Sequence, residues 1–483
     1  MSFQSIASTH SHEINERIFM QTLKRTKLLN LLFYITVFLA ITAFAVLQPF
    51  GDPPDEVNRF KVAQFICKYG TLPTGEEFEV AIGGYGGSYA FQPILPYIIQ
   101  GWLLRFVSLF TEKNQLLLLF ARMVNVLFGV IMAVYVRRLS LLLFSSEWSS
   151  WLFSILVMFL PQNLFLHSYV NTDSMASMAG AMILYACVRG WQKSWERRDC
   201  ILLALGIIFC ALSYYNAYGL IVTAILLFFF SHIQKDDAGH FYVSWRPLLQ
   251  KGLLISALVL LGAGWWFVRS YFIHNGDFLG LRARMENAIQ TALPQYSPAT
   301  RVTLAASGVS LRDMLMGMDF FYFLWNSFVA RFGPMTLPTL PFLYIWYYRI
   351  FGFGWLFSLL PAKDTEKPLC FRLLFHAAML AGTLIPLALC IYYSYTSDYQ
   401  PQGRYIMPML LPFMYFITLG FDKLAMLLTQ SLPFTALRPF IRPLIMGGLI
   451  LFLTAGLFLT LGAVVIPHYV NGINLWNGEW LYL

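Results

Sequence analysis

Residues 51–73 read GDPPDEVNRFKVAQFICKYGTLP and follow directly on an apolar run, 28–50, long enough to cross a bilayer. The carboxylates of Asp52, Asp55 and Glu56 therefore stand at the mouth of a membrane span. Burying an unpaired carboxylate there costs on the order of several kcal/mol, and far cheaper residues can finish a span. Pro53 and Pro54 keep the chain just before Asp55 out of a helix, whereas 56–69 predicts a short amphipathic helix along the membrane surface. Such a stretch presents a carboxylate where a lipid-borne substrate can meet a water-borne one. The same run also suits a plain helix stop facing water, and the stretch alone leaves both open.

The rest of the chain sets the class. Of 483 residues, 58% are hydrophobic and 12% are charged, against about 25% charged in an ordinary soluble protein. A soluble fold could hide only part of that apolar surface, so the class is an all-α polytopic membrane protein. The net charge of +9 does not point to nucleic acid, because the Lys and Arg residues sit in short runs between apolar spans. Six cysteines show no disulfide framework and no metal-site spacing. The sequence requires no cofactor, and a divalent metal has no supporting ligand set.

Apolar windows mark about eleven spans, near 28–50, 117–136, 148–168, 172–190, 200–214, 216–233, 250–273, 336–360, 373–394, 404–429 and 444–467. Two further apolar stretches, 91–110 and 315–330, are interrupted by Pro, Arg or Asp and are expected to lie at the interface. Residues 1–27 carry Arg17, Lys24, Arg25 and Lys27 and lack the apolar core of a cleavable signal peptide. They are expected to be a cytoplasmic segment ahead of a membrane domain over 28–467. Basic residues then alternate with the spans so that 51–116 and 274–335 become the large outer loops. Residues 468–483, with Trp476, Trp480 and Tyr482, become an aromatic tail at the outer face.

That topology gathers Asp52, Asp55, Glu56, Asp173, Arg269, Asp277, Asp398, Gln402 and Arg404 at the outer ends of spans or in outer loops. One site assembled from several helix ends accounts for this bias. Few ionisable groups lie in the middle of the spans, which argues against a midplane transport site. No internal repeat appears. The glycines at 83, 84, 86 and 87 lack the Lys-Ser/Thr ending of a phosphate loop and are expected to confer mobility.

The motifs so placed resemble the GT-C superfamily of membrane glycosyltransferases, which take sugars from polyprenyl-phosphate carriers. The likeness is to the branch of protein O-mannosyltransferases, the lipid A aminoarabinose transferase and their relatives. It is carried in order by PPDEVNRF with GTLP, FQPILPYII, ARMVNVLFGVIMAVYVRRL, LPQNLFLHSYVNTDSMA, WWFVRSYFIHNGDFLG and QGRYIMPMLLP. The resemblance implies a GT-C-like fold and transfer of a sugar on the non-cytoplasmic face of a membrane, expected to be the bacterial inner membrane. The acceptor would be a lipid-linked glycan, a cell-envelope polymer or a protein, and the displacement would invert the sugar.

Position by position, Asp55 matches the carboxylate that takes a proton from the acceptor hydroxyl, a poor nucleophile that needs a base within reach. Glu56 matches a neighbouring acid and Asp173 a second acid facing the cavity, although Asn171-Thr172-Asp173 also suits the start of a helix. Arg404 matches the arginine that grips the carrier phosphate, with Arg269 and Gln402 beside it. Asp52, Asn58, His167, Tyr214, Asn216 and Tyr405 are expected to line the acceptor side. Two departures stand out. Asn58 replaces a frequent His, which removes a metal ligand. Tyr214-Tyr215-Asn216 replaces a stretch that often carries Lys, leaving phosphate binding more dependent on Arg404. The rival expectation is a flippase or exporter of lipid-linked sugars, which would need no base.

Overall fold

In the computed structural model, residues 26–361, 369–431 and 433–472 are described. The amino-terminal segment expected to be cytoplasmic lies almost wholly outside them, as does most of the aromatic tail. The chain runs through α1 (Thr26–Leu47), α2 (Glu56–Tyr69), α3 (Leu95–Val107), α4 (Asn114–Leu143), α5 (Glu147–Met158) and α6 (Pro161–Leu166). It continues through α7 (Asp173–Gln192), α8 (Arg197–Ala211), α9 (Gly219–Phe230), α10 (Trp245–Ile273), α11 (Leu281–Thr291) and α12 (Leu311–Gly317). The last third holds α13 (Phe320–Val329), α14 (Pro341–Phe357), α15 (Leu369–Thr396), α16 (Leu410–Ser431), α17 (Arg438–Thr460) and α18 (Ile466–Gly472). Two short antiparallel pairs are the only sheets among the described residues: β1 (Ile233–Lys235) with β2 (Phe241–Val243), and β3 (Arg331–Phe332) with β4 (Leu337–Pro338).

Every apolar window of the sequence is occupied by helix. Among the described residues, six helical stretches are long and apolar enough to cross a membrane: Thr26–Leu47, Asn114–Leu143, Trp245–Ile273, Leu369–Thr396, Gly403–Ser431 and Thr435–Val470. The other windows hold shorter helices, and proline explains two of them. Pro161 interrupts the window 148–168, so α5 stops at Met158 and α6 restarts on the proline, while α14 likewise begins at Pro341. Both interrupted stretches, 91–110 and 315–330, contain helices, α3 and α13.

Burial sorts the helices. α7 is enclosed along nearly its whole length, and its small residues Ala176, Ser177, Ala179, Gly180 and Ala181 let neighbouring backbones approach closely. α10 instead leaves Leu249, Leu253, Leu260, Leu261, Val268 and Phe272 exposed, as a helix against lipid does. α2 packs on α3, and α3 packs on α4. Between α3 and α4, the Gln100 Nε2 donates to Asn125 Oδ1 at 3.0 Å, and the Asn125 amide donates in turn to the carbonyls of Tyr169 and Asn171. This buried polar chain holds the turn 167–172 against α3 and α4, since each member would be costly if left unpaired.

The glycine cluster is a packing surface. Gly86 has φ +68°, and a Cβ there would sit 2.7 Å from the Ala288 carbonyl oxygen and the Ala292 nitrogen of α11. Leu293 N–H donates to Gly84 O at 2.9 Å, and Tyr85 stacks on Tyr296 at 4.4 Å between centroids. Close approach to the end of α11 thus accounts for Gly86, positive φ for Gly84 and Gly87, and open space surrounds Gly83.

Candidate active site

Helix ends converge on Asp55. The residue has φ 64°, in the left-handed region, and its carboxylate makes no capping bond to α2. An Asp is tolerated there better than a bulky residue, at some cost in strain. The carboxylate turns instead to Arg404, whose Nη1 donates to Asp55 Oδ2 at 2.7 Å, while Arg59 Nη2 stands 3.8 Å from the same oxygen. Arg59 follows one helical turn after Asp55, and its Nη1 donates to Asp173 Oδ2 at 2.9 Å. The chain of charge is therefore Arg404, Asp55, Arg59, Asp173, drawn from the start of the Gly403–Ser431 stretch, the start of α2 and the first turn of α7. Burial alone would raise the Asp55 carboxyl, but the guanidiniums of Arg404 and Arg59, with hydrogen bonds from Arg404 and Tyr89, hold it below the ordinary carboxylate value.

A cavity of about 470 Å³ opens on this chain, within the range of small-ligand sites. Asp55, Arg59 and Arg404 line one side, with Tyr89, Tyr214, Asn216, Arg284, Asp398, Gln400 and Tyr405 around them. Arg404 Nη2 donates to the Tyr405 hydroxyl at 3.0 Å, and that hydroxyl donates to Gln400 Oε1 at 2.5 Å. Asn216 Nδ2 donates to the Tyr214 hydroxyl at 2.9 Å. Both arginines keep a buried Nε–H with no acceptor among the described residues. A buried donor without a partner is costly, and two beside one cavity suit an anion with several oxygens.

Arg404 is held by backbone as much as by charge. It lies in a 3-10 turn, Gly403–Met409, and the Gly403 N–H donates to Ser327 Oγ of α13 at 2.7 Å. A Cβ at Gly403 would fall 2.1 Å from the Phe328 nitrogen.

The remaining expected residues are placed elsewhere. Glu56 is fully enclosed and clamped by Arg122, whose Nε and Nη2 reach its two oxygens at 2.8 and 2.5 Å. Arg122 also donates to the carbonyls of Ala45 and Gln48, and Glu56 Oε1 accepts from Val170 N–H at 3.1 Å. Glu56 therefore ties α1, α4 and the turn before α7 together and does not line the cavity. Asp52 accepts from the Tyr469 hydroxyl at 2.6 Å, and Asn58 Oδ1 accepts from Lys61 Nζ at 3.2 Å. His167 is buried between Ser174, 2.7 Å away, and Met132. Arg269 donates to the carbonyls of Leu72 at 3.1 Å and Pro73 at 2.8 Å, so it pins the GTLP turn to α10. Asp277 accepts from Ala283 N–H at 2.9 Å at the start of α11. Gln402 precedes the 3-10 turn and is not among the cavity-lining residues. Asp173 reaches the site only through Arg59, and Asn171 Oδ1 takes the capping bond from Ser174 N–H at 2.9 Å. No three His, Cys, Asp or Glu side chains are placed to hold a metal ion among the described residues.

Arg59, Arg122, Tyr89 and Arg284 are the residues sequence reasoning missed. Arg59 stood in the quoted motif, four after Asp55, and i, i+4 spacing is the signal that could have paired them. Arg122 is a cation well inside an apolar span, which by itself marks a buried partner.

Solved structures of the same fold exist. The chain is 10% identical to ArnT from Cupriavidus metallidurans bound to undecaprenyl phosphate, with a TM-score of 0.54 over 92% of this chain and 77% of that one. Against the apo state of that ArnT the identity is 12% and the TM-score 0.51, over the same shares. An Archaeoglobus fulgidus oligosaccharyltransferase tethered with an acceptor peptide gives 12% identity and a TM-score of 0.49 over 89% of this chain. The chain spans 55% of the length of that protein. No curated protein matches the sequence. The ArnT likeness bears out the GT-C-like fold expected from the motifs. The model of the DUF2142 family matches residues 68–413, and the chain belongs to that family of predicted membrane proteins.

Proposed function

We propose that this protein is a glycosyltransferase that moves a hexosyl or pentosyl group from a polyprenyl-phosphate carrier to an acceptor hydroxyl in the Asp55 cavity. One observation carries the reading: a carboxylate shared by two buried arginines, each with an Nε–H unpaired among the described residues, faces a cavity of about 470 Å³ where helix ends meet. The ArnT of the same fold was bound to undecaprenyl phosphate, which supports a carrier of that class.

The carrier phosphate is held by Arg404, aided by Arg59. Its oxygens compete with Asp55 for the same N–H donors, so donor binding loosens the Asp55–Arg404 pair and restores basicity to the carboxylate. The acceptor oxygen attacks the anomeric carbon as the bond from that carbon to the phosphate oxygen breaks. The phosphate leaves with the bonding pair, stabilised by the guanidiniums, and Asp55 takes the acceptor proton. One displacement inverts the anomeric centre. Asp173 keeps Arg59 in place, and Tyr214, Asn216 and Tyr89 shape the acceptor side. The site faces the non-cytoplasmic side of the bacterial inner membrane in this reading, because the basic residues of the other helix ends mark the cytoplasmic face. The acceptor is a lipid-linked glycan, a cell-envelope polymer or a protein.

The test is transfer of labelled sugar from purified polyprenyl-phosphate sugar to a cell-envelope extract by the detergent-solubilised protein. A labelled glycosidic product is expected. Movement of the intact carrier across vesicles with no product would replace this reading by the flippase one.

A further inference from the structure

The helices that build the Asp55 cavity carry a second cavity at their other ends. α7 leaves the site at Asp173, and Arg404 stands at the start of the span that continues as α16, while α15 arrives at the first cavity with Ser394 and Ser397 close behind it. The 20 residues of α7 cover about 30 Å, the hydrocarbon thickness of a bilayer. Where these helices end away from Asp55, a cavity of about 510 Å³ lies between Leu141 of α4, Trp191 of α7, Phe375 of α15 and Leu419 of α16. Arg372 and Lys423 also line it, and no carboxylate does among the described residues.

Neither cation has an acidic partner among the described residues. The Nε–H of Arg372 is buried without an acceptor among them. Lys423 donates to the carbonyls of Ser358 at 2.6 Å and Leu360 at 2.8 Å, which fixes its ammonium without cancelling its charge. A fixed ammonium and a guanidinium beside an aromatic and aliphatic wall, one membrane thickness from the first site, match a phosphate head group joined to a hydrocarbon chain.

We propose that this second cavity binds a lipid with a net negative, phosphate-bearing head group from the leaflet opposite the Asp55 site. The phosphate sits on Arg372 and Lys423, and the first methylenes lie against Leu141, Trp191 and Phe375. An anionic glycerophospholipid and a polyprenyl phosphate share this chemistry, and the experiment separates them.

Full-length protein carrying Arg404→Ala, which removes the phosphate-holding cation of the first cavity, is delipidated. It is then titrated in native mass spectrometry with phosphatidylglycerol, undecaprenyl phosphate and phosphatidylcholine. One anionic lipid should bind per chain, and phosphatidylcholine should not. Adding Arg372→Gln should weaken that binding about tenfold or more, as expected for a lost charge-assisted hydrogen bond. Leu419→Trp, which fills the cavity and keeps both charges, should weaken it as well. Retention of phosphatidylglycerol alone assigns a bulk leaflet lipid, and retention of undecaprenyl phosphate alone assigns a carrier lipid. Equal binding in all three proteins, or equal binding of phosphatidylcholine, overturns the proposal. The glycosyltransferase reading is untouched by either result, because its assay reads the first cavity.

Discussion

Asp55 opens onto a cavity with Arg404 and Arg59, and one residue later Glu56 is sealed against Arg122. Both are carboxylates paired with arginine, both lie at the end of the first span, and the sequence gives them the same neighbours. Their surroundings separate them. The Asp55 side chain is 32% exposed and Glu56 is 0% exposed. Arg122 spends its donors on Glu56 and three backbone carbonyls, whereas Arg404 and Arg59 each hold one in reserve. A saturated pair is scaffold, and an unsaturated one is available to a ligand.

The comparison breaks most sharply at Asp55. Asp55→Asn keeps the size of the side chain and removes its basicity, and loss of a general base lowers rates by about a hundred- to ten-thousand-fold. Transfer measured with saturating donor should fall by that factor while the folded yield stays at the wild-type level. Activity within a few-fold of wild type would remove Asp55 as the base. On the sealed side the signs reverse. Glu56→Ala strands the Arg122 charge, and breaking a buried pair costs about 3–5 kcal/mol. Solubilised protein should unfold at markedly lower temperature, and whatever fraction stays folded should transfer at close to the wild-type rate. A stable but inactive Glu56→Ala would move Glu56 into the chemistry.

Smaller effects sharpen the contrast. Arg404→Lys keeps charge but loses the planar fork, so donor affinity should fall less than in Arg404→Ala, where about ten- to a hundred-fold is expected. Equal affinity of both variants and wild type would detach the phosphate from Arg404. The smallest effect is in pH. The Asp55 carboxyl is lowered in the folded protein, so the stability it contributes is fully present above the unfolded value near ~3.9 and is lost as pH falls through the lowered one. The difference in melting temperature between wild type and Asp55→Asn should be level from neutral pH to about 4 and shrink below it. Shrinkage already at pH 6 would contradict the depressed carboxyl.

Much of this was legible from residues. The prolines before Asp55 and the apolar run behind it placed a carboxylate at a helix end, and the bounds 56–69 predicted for the next helix are those observed. Arg404 and Tyr405 were legible in QGRY. What the sequence could not show is which groups face one another. Glu56 was expected as a neighbouring acid of the site, and only the group facing it, Arg122, decides between cavity and clamp. Arg269 looked like a second phosphate ligand, but its partners are backbone carbonyls, which no side-chain pattern betrays. His167 lies shortly before Asp173 in sequence and deep in the core in space.

Gly403 has no functional group, yet it decides where one stands. With Phe328 backbone atoms where a methyl would go, any larger residue must push the turn away from α13 by about an ångström, and the guanidinium one residue on moves with it. Such a variant would keep every ionisable group of the site and still misplace its main cation. It would behave in assays like a loss of Arg404, and a search confined to chemically active side chains would pass over the position that caused it.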